Sequence, residues 1–120
     1  MNLLSILLGK KDNSALENAL ENNSFLVDVR TPSEFASGSV KGAQNIPLNE
    51  IRNQISKFKN KSEIIVFCRS GNRSAMAKGT LEKNGISNVV NGGSLENVVK
   101  TMQKIKNIDS FSAERKSTVK

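Results

Sequence analysis

The chain has no histidine, tryptophan or tyrosine, and its 120 residues include one cysteine, two prolines and five phenylalanines. Without histidine, Cys–His catalysis, His-based zinc sites and histidine general bases are excluded, and no metal or other cofactor is expected. Acid–base work would fall to Lys, Asp, Glu, water or the substrate. A lone cysteine makes no internal disulfide and suits a reducing compartment, so a cytoplasmic location is expected. With few aromatics the core must come from Ile, Leu, Val and Ala. A single domain of this length buries roughly two-thirds of its surface, enough for a core without staples.

Long apolar runs are also missing. The stretch Leu3–Leu8 is far too short to span a bilayer. It lacks the basic flank and the small-residue cleavage site of a signal peptide. It reads as an apolar arm over residues 1–13, a short docking helix or a frayed end, with membrane contact not expected. The net charge of +7 fits a solvated basic surface, or attraction of an anionic substrate into a basic cleft. With no stacking aromatic set and no binding motif, nucleic acid is not an expected partner.

The remaining chain alternates helical and strand patterns. Ser14 and Glu17 form a capping box opening a helix with Leu16, Ala19 and Leu20 on one face. The run Phe25–Val29 fits a strand buried on both faces, interrupted by Asp28. Thr31, Pro32 and Glu34 open a second helix that Gly38 stops. A turn and a very short strand follow over residues 42–47. Leu48, Ile51, Ile55 and Phe58 then recur as one amphipathic helix. Ile64–Phe67 is the clearest buried strand; a helix rich in small residues follows it and ends at Asn84-Gly85. Val89-Val90 is a last short strand, and Gly92-Gly93 lead into a helix with Leu95, Val98, Val99, Met102 and Ile105 on one side. Residues 107–120 are expected to be a flexible charged tail, leaving 14–106 as the domain. The class is α/β with a mostly parallel sheet flanked by helices, whose ligands sit at the carboxyl ends of strands. Asp28 to Arg30 and Cys68 fall there.

A free thiol of pKa near 8.5 is only a few per cent thiolate at neutral pH. Arg69 and Arg73 place two positive charges near Cys68, Gly71 lets the loop curl into a nest of N–H groups, and a helix starts just beyond. A lowering of about two units would ionise most of the thiol at pH 7. Cysteine phosphatases space Cys and Arg by five residues so that a guanidinium grips phosphate. Here Arg73 comes one residue early and Ser74 stands at that place. The tighter loop suits a single sulfur atom better than a phosphoryl group.

In order along the chain come Asp28-Val29-Arg30, Glu34, Gly38, Gly42-Ala43-Gln44-Asn45-Ile46-Pro47, Cys68-Arg69-Ser70-Gly71-Asn72-Arg73-Ser74 and Gly92-Gly93. This ordered set resembles the rhodanese family over roughly residues 16–105. The resemblance implies a parallel sheet of about five strands wrapped by helices. It also implies a double displacement in which Cys68 takes a sulfane sulfur from thiosulfate or a persulfide and hands it to cyanide, a thiol or a protein. The backbone of Arg69, Ser70, Gly71, Asn72, Arg73 and Ser74 would hold the persulfide. Arg69 and Arg73 would bind the anionic donor. Ser70 and Ser74 divide between capping the loop and touching substrate. Asp28, Arg30 and Glu34 are expected as structural support, Asp28 accepting loop N–H groups and Arg30 pairing with Glu34, though Asp28 and Arg30 could instead wall the site. Ser39 stands where the family usually has His, and the Trp common beyond Gly92-Gly93 is missing. The expected partners are a small anionic sulfur donor and a thiol or protein acceptor, the chain acting as a monomer. A sulfur-relay module with little thiosulfate turnover is the alternative.

Overall fold

In a computed structural model, the structure describes the backbone of residues 13–118 and the side chains of residues 13–107. The apolar arm lies almost wholly outside the described residues.

The chain alternates as the hydrophobic pattern requires. Helix α1 (Ser14–Glu21) precedes strand β1 (Phe25–Asp28), then α2 (Pro32–Ala36), β2 (Gln44–Asn45), two short 3-10 helices (Leu48–Glu50 and Arg52–Phe58), β3 (Ile64–Cys68), α3 (Asn72–Lys83), β4 (Val89–Ser94) and α4 (Leu95–Thr118). The four strands order as β2-β1-β3-β4 and every pairing is parallel. The sheet is thus one strand narrower, among the described residues, than the expected five or so.

Parallel strands covered on both faces need apolar residues throughout, and β3 has them: all five residues are buried. Successive side chains point to opposite faces. Ile64, Val66 and Cys68 meet Ala77 and Leu81 of α3 with Ile51 and Phe58. Ile65 and Phe67 meet Leu16 and Ala19 of α1 with Val98 of α4. Burying each large apolar side chain contributes about 1.5–3 kcal/mol, so β3 anchors the sheet and holds its last residue, Cys68, in place.

Several local expectations give way to packing. Residues 48–58 form two 3-10 helices, the second kinked at Gln54 (φ −123°, ψ 28°), rather than one α-helix. Three residues per turn stack positions three apart, so the kink lets both Ile51 and Phe58 turn inward. The cap expected at Ser14 moves to Asn13, which makes no side-chain cap bond and instead exchanges hydrogen bonds with Asn97 of α4 at 3.1 and 3.2 Å. Glu17 reaches Lys104 at 2.8 Å rather than its own helix start. Strand β4 runs on through both glycines to Ser94. Val66 pairs with Asn91 and Phe67 with Gly93, which leaves Gly92 as an extra residue in a bulge. Helix α4 continues past Asn107, where a flexible tail was expected, because nothing from Leu95 onward is Gly or Pro. Among the described residues no helix is long and apolar enough to cross a membrane.

Candidate active site

Gly71 sets the shape of the loop after Cys68. Its φ of 99° is left-handed, a conformation that costs glycine little, and it turns the chain sharply from β3 into α3. Successive N–H groups then converge on the sulfur. The Gly71 N–H donates to Cys68 Sγ at 3.0 Å, and the Ser74 N–H lies at 3.4 Å. Ser74 Oγ is 3.5 Å from Sγ. The thiol is free and fully buried. Burial pushes it up. Hydrogen bonds from the Ser74 hydroxyl and from the N–H groups of Ser74, Ser70 and Gly71 outweigh that, leaving Cys68 below its ordinary pKa.

These hydrogen bonds, more than the two arginines, carry the lowering. Arg73 forms a fork with Glu34, at 2.7 Å to Oε1 and 3.0 Å to Oε2. That pair ties α2 to the first turn of α3 across the mouth of the loop. Arg73 is raised chiefly by Glu34, and the Cys68 charge acts on it only as a lesser cause. Glu34 is lowered to about 2, first by Arg73 and then by the Thr31 N–H. Thr31 caps the helix as expected, and the Glu34 carboxylate reaches back to the Thr31 N–H to complete a capping box.

The expected Arg30–Glu34 pair does not form. Arg30 stands two residues beyond Asp28, and its guanidinium turns back onto the Asp28 carboxylate. Arg30 Nε lies 3.0 Å from each Asp28 oxygen, and Nη2 lies 2.7 Å from Oδ2 and from the Gly38 carbonyl. Asp28 also accepts the Arg30 N–H at 2.9 Å and the Ser39 hydroxyl at 2.7 Å. Ser39, at the position where a His was noted as missing, therefore completes a buried polar network. Arg30 is raised above its ordinary value, first by the hydrogen bond to Asp28.

The structure brings Cys68, Gly71 and Ser74 into direct contact, with the Ser70 N–H acting on the thiol. Asn72 is exposed at the first position of α3. Arg69 is exposed and lines a cleft of about 270 Å³ with Arg30, Glu34, Ser37, Leu95 and Glu96. A larger groove, about 520 Å³, lies between α1 and α4 around Leu20, Val40, Val99, Met102 and Ile105, but neither Cys68 nor any residue of its loop lines it.

Asn91 is a residue that sequence reading passed over. Its Oδ1 accepts from Ser74 Oγ at 2.7 Å and from the Gly93 N–H at 2.9 Å, while Nδ2 reaches the Gly71 carbonyl at 3.4 Å. It braces the loop from β4. Its signal was an amide between Val89-Val90 and the glycine pair.

The fold and loop together define a parallel α/β domain whose cysteine ends a central strand inside a ring of N–H donors. The sequence matches the family model for the Rhodanese-like domain over residues 12–99. The chain belongs to that family. It is 35% identical over 82 residues to the thiosulfate sulfurtransferase PspE of Escherichia coli, covering 67% of this chain and 77% of PspE. It is 35% identical over 66 residues to the putative sulfur carrier protein YrkF of Bacillus subtilis, covering 55% of this chain and 36% of YrkF. The chain spans about half or less of the Bacillus subtilis relatives it matches. Among solved structures, a rhodanese with anions from E. coli superposes with a TM-score of 0.56 at 34% identity, covering 60% of this chain and 87% of that one. Relatives are thus named as sulfurtransferases and, in one case, as a putative sulfur carrier.

Proposed function

We propose that the chain is a sulfurtransferase that moves a sulfane sulfur from thiosulfate or a persulfide through a Cys68 persulfide to a thiophilic acceptor. The observation that carries this reading is the convergence of the Gly71 and Ser74 N–H groups on Cys68 Sγ. Donors aimed at one sulfur stabilise a thiolate, and the same ring can hold a persulfide anion.

With thiosulfate, Cys68 Sγ⁻ attacks the outer sulfur. The S–S bond of the donor breaks, its electron pair leaves with sulfite, and a new S–S bond forms on Cys68. Arg69, exposed at the cleft, is placed to offset the charge of the departing sulfite. Attack by cyanide or a thiolate on the terminal sulfur then returns Cys68 to thiolate and releases thiocyanate or a new persulfide. No net oxidation occurs. Asp28, Arg30 and Glu34 act as support, Glu34 by pairing with the Arg73 guanidinium. A monomer in a reducing, cytoplasmic setting fits the single thiol.

A relay reading, in which a protein supplies the persulfide, is favoured by the burial of Cys68 and by the likeness to a relative named as a sulfur carrier. Steady-state thiocyanate formation from thiosulfate and cyanide tests the first reading. Turnover that disappears in Cys68→Ser, with an unchanged melting temperature, supports it. Turnover equal in both variants overturns it, and slow turnover alongside fast loading from a protein persulfide selects the relay.

A further inference from the structure

The cleft lined by Arg69, the residue after Cys68, is not uniformly basic. It sits where three adjoining strands end: Arg30 lies just past β1, Arg69 follows Cys68 of β3, and Leu95 and Glu96 follow Ser94, the register partner of Cys68 on β4. Two of its four charged residues are committed, Arg30 to Asp28 and Glu34 to Arg73. Among the described residues, Arg69 and Glu96 enter no ion pair. The cleft thus offers a visitor one guanidinium and one carboxylate, with an apolar edge from Leu95.

That pattern suits a visitor carrying both charges. A thiosulfate dianion meets Arg69 but is opposed by Glu96, and its few atoms leave much of about 270 Å³ unfilled. A small amino-acid persulfide has a carboxylate for Arg69, an ammonium for Glu96 and a methylene for Leu95. Resting on the sulfur-transfer reading above, we propose that Glu96 is a specificity-determining residue. Paired with Arg69, it selects a zwitterionic low-molecular-weight persulfide of the α-amino-acid class over thiosulfate. In the loading step Cys68 Sγ⁻ attacks the terminal sulfur of R–S–SH. The donor S–S bond breaks, its electron pair leaves as R–S⁻, and Cys68 becomes Cys–S–SH, the proton staying on the transferred sulfur. Atoms and charge balance without an added oxidant.

Glu96 also stands in the first turn of α4, where a carboxylate complements the helix dipole. A donor-preference ratio separates the two roles, because a purely structural effect moves all donors together. The test compares loading rates for cysteine persulfide, N-acetylcysteine persulfide and thiosulfate on the wild-type chain and on Glu96→Gln. The wild type should favour cysteine persulfide over its N-acetyl form by roughly two- to fivefold, the scale of one exposed charge contact. Glu96→Gln should erase that ratio and speed thiosulfate loading by a similar factor. An equal rate for the two persulfides in the wild type, or a ratio that survives Glu96→Gln, overturns the proposal. Failure of every donor to load sulfur on Cys68 removes the sulfur-transfer reading itself, and intact mass tells these outcomes apart.

Discussion

Ser74 has one hydroxyl proton and three acceptors within reach: Asn91 Oδ1, the Gly71 carbonyl and Cys68 Sγ. When Cys68 carries a proton the hydroxyl rests on Asn91 at 2.7 Å. When the sulfur is ionised, turning the O–H toward Sγ adds a charge-assisted bond. Ser74→Ala removes the strongest of the lowering contacts and leaves the burial that opposes them. The pH at which Cys68 alkylation by iodoacetamide half-saturates should therefore rise, and the rate at pH 7 should fall roughly three- to tenfold. The sign extends to stability. A depressed thiol pKa stabilises the fold above the free-thiol value, and that contribution fades as pH falls through the lowered pKa of Cys68. An unchanged alkylation profile would put the lowering elsewhere. At this scale the surroundings of Cys68 were legible, because Gly71 and the helix start lie within a few positions of it. The partner of Arg73 was not. Proximity in sequence put Arg73 beside the sulfur, and a carboxylate 39 positions away took its guanidinium.

Strand β4 and helix α4 meet at Gly92, and here the constraint is space. A Cβ on Gly92 would lie 2.9 Å from Val98 Cγ2 and 3.1 Å from Ile65 Cγ2, both on stiff β-branched side chains in the core. Gly92→Ala should cost about 1–3 kcal/mol in urea unfolding, as overpacking does. It should also slow sulfur loading, because the bulge sets Asn91 under the loop. A loss within about 0.5 kcal/mol, the range of neutral surface changes, would contradict this account of the bulge. Elements whose cause is local were legible from sequence: the helix start at Thr31 formed as read because the cap and the N–H it accepts from lie in one turn. The start of α1 was not, because Asn13 and Glu17 took partners on α4. The helix expected across residues 48–58 failed for the same kind of reason, tertiary burial of Ile51 and Phe58 outweighing a regular α-helical turn.

The whole molecule rests on a core whose most polar point is Asp28 with Arg30. Removing one member leaves the other buried without its charge, a loss of about 3–5 kcal/mol. Total stabilities run only about 5–15 kcal/mol. Asp28→Ala should therefore bring the urea midpoint down steeply, while a paired Asp28→Leu, Arg30→Met variant should recover most of the loss. Equal losses in both would mean that the pair carries stability beyond covering its own charges. The layered α/β plan was legible because doubly buried strands must be apolar throughout, and β3 is. Strand number and the run of α4 past Asn107 depend on pairing and helix continuity, which periodicity does not report.

The central claim is that Cys68 carries a sulfur atom. The most direct test is the intact mass of the reduced chain before and after incubation with thiosulfate or cysteine persulfide, beside Cys68→Ser. The account predicts that the wild type alone gains one sulfur atom and that cyanide removes it as thiocyanate. No gain from either donor with the thiol shown to be free, or an equal gain in Cys68→Ser, would contradict it.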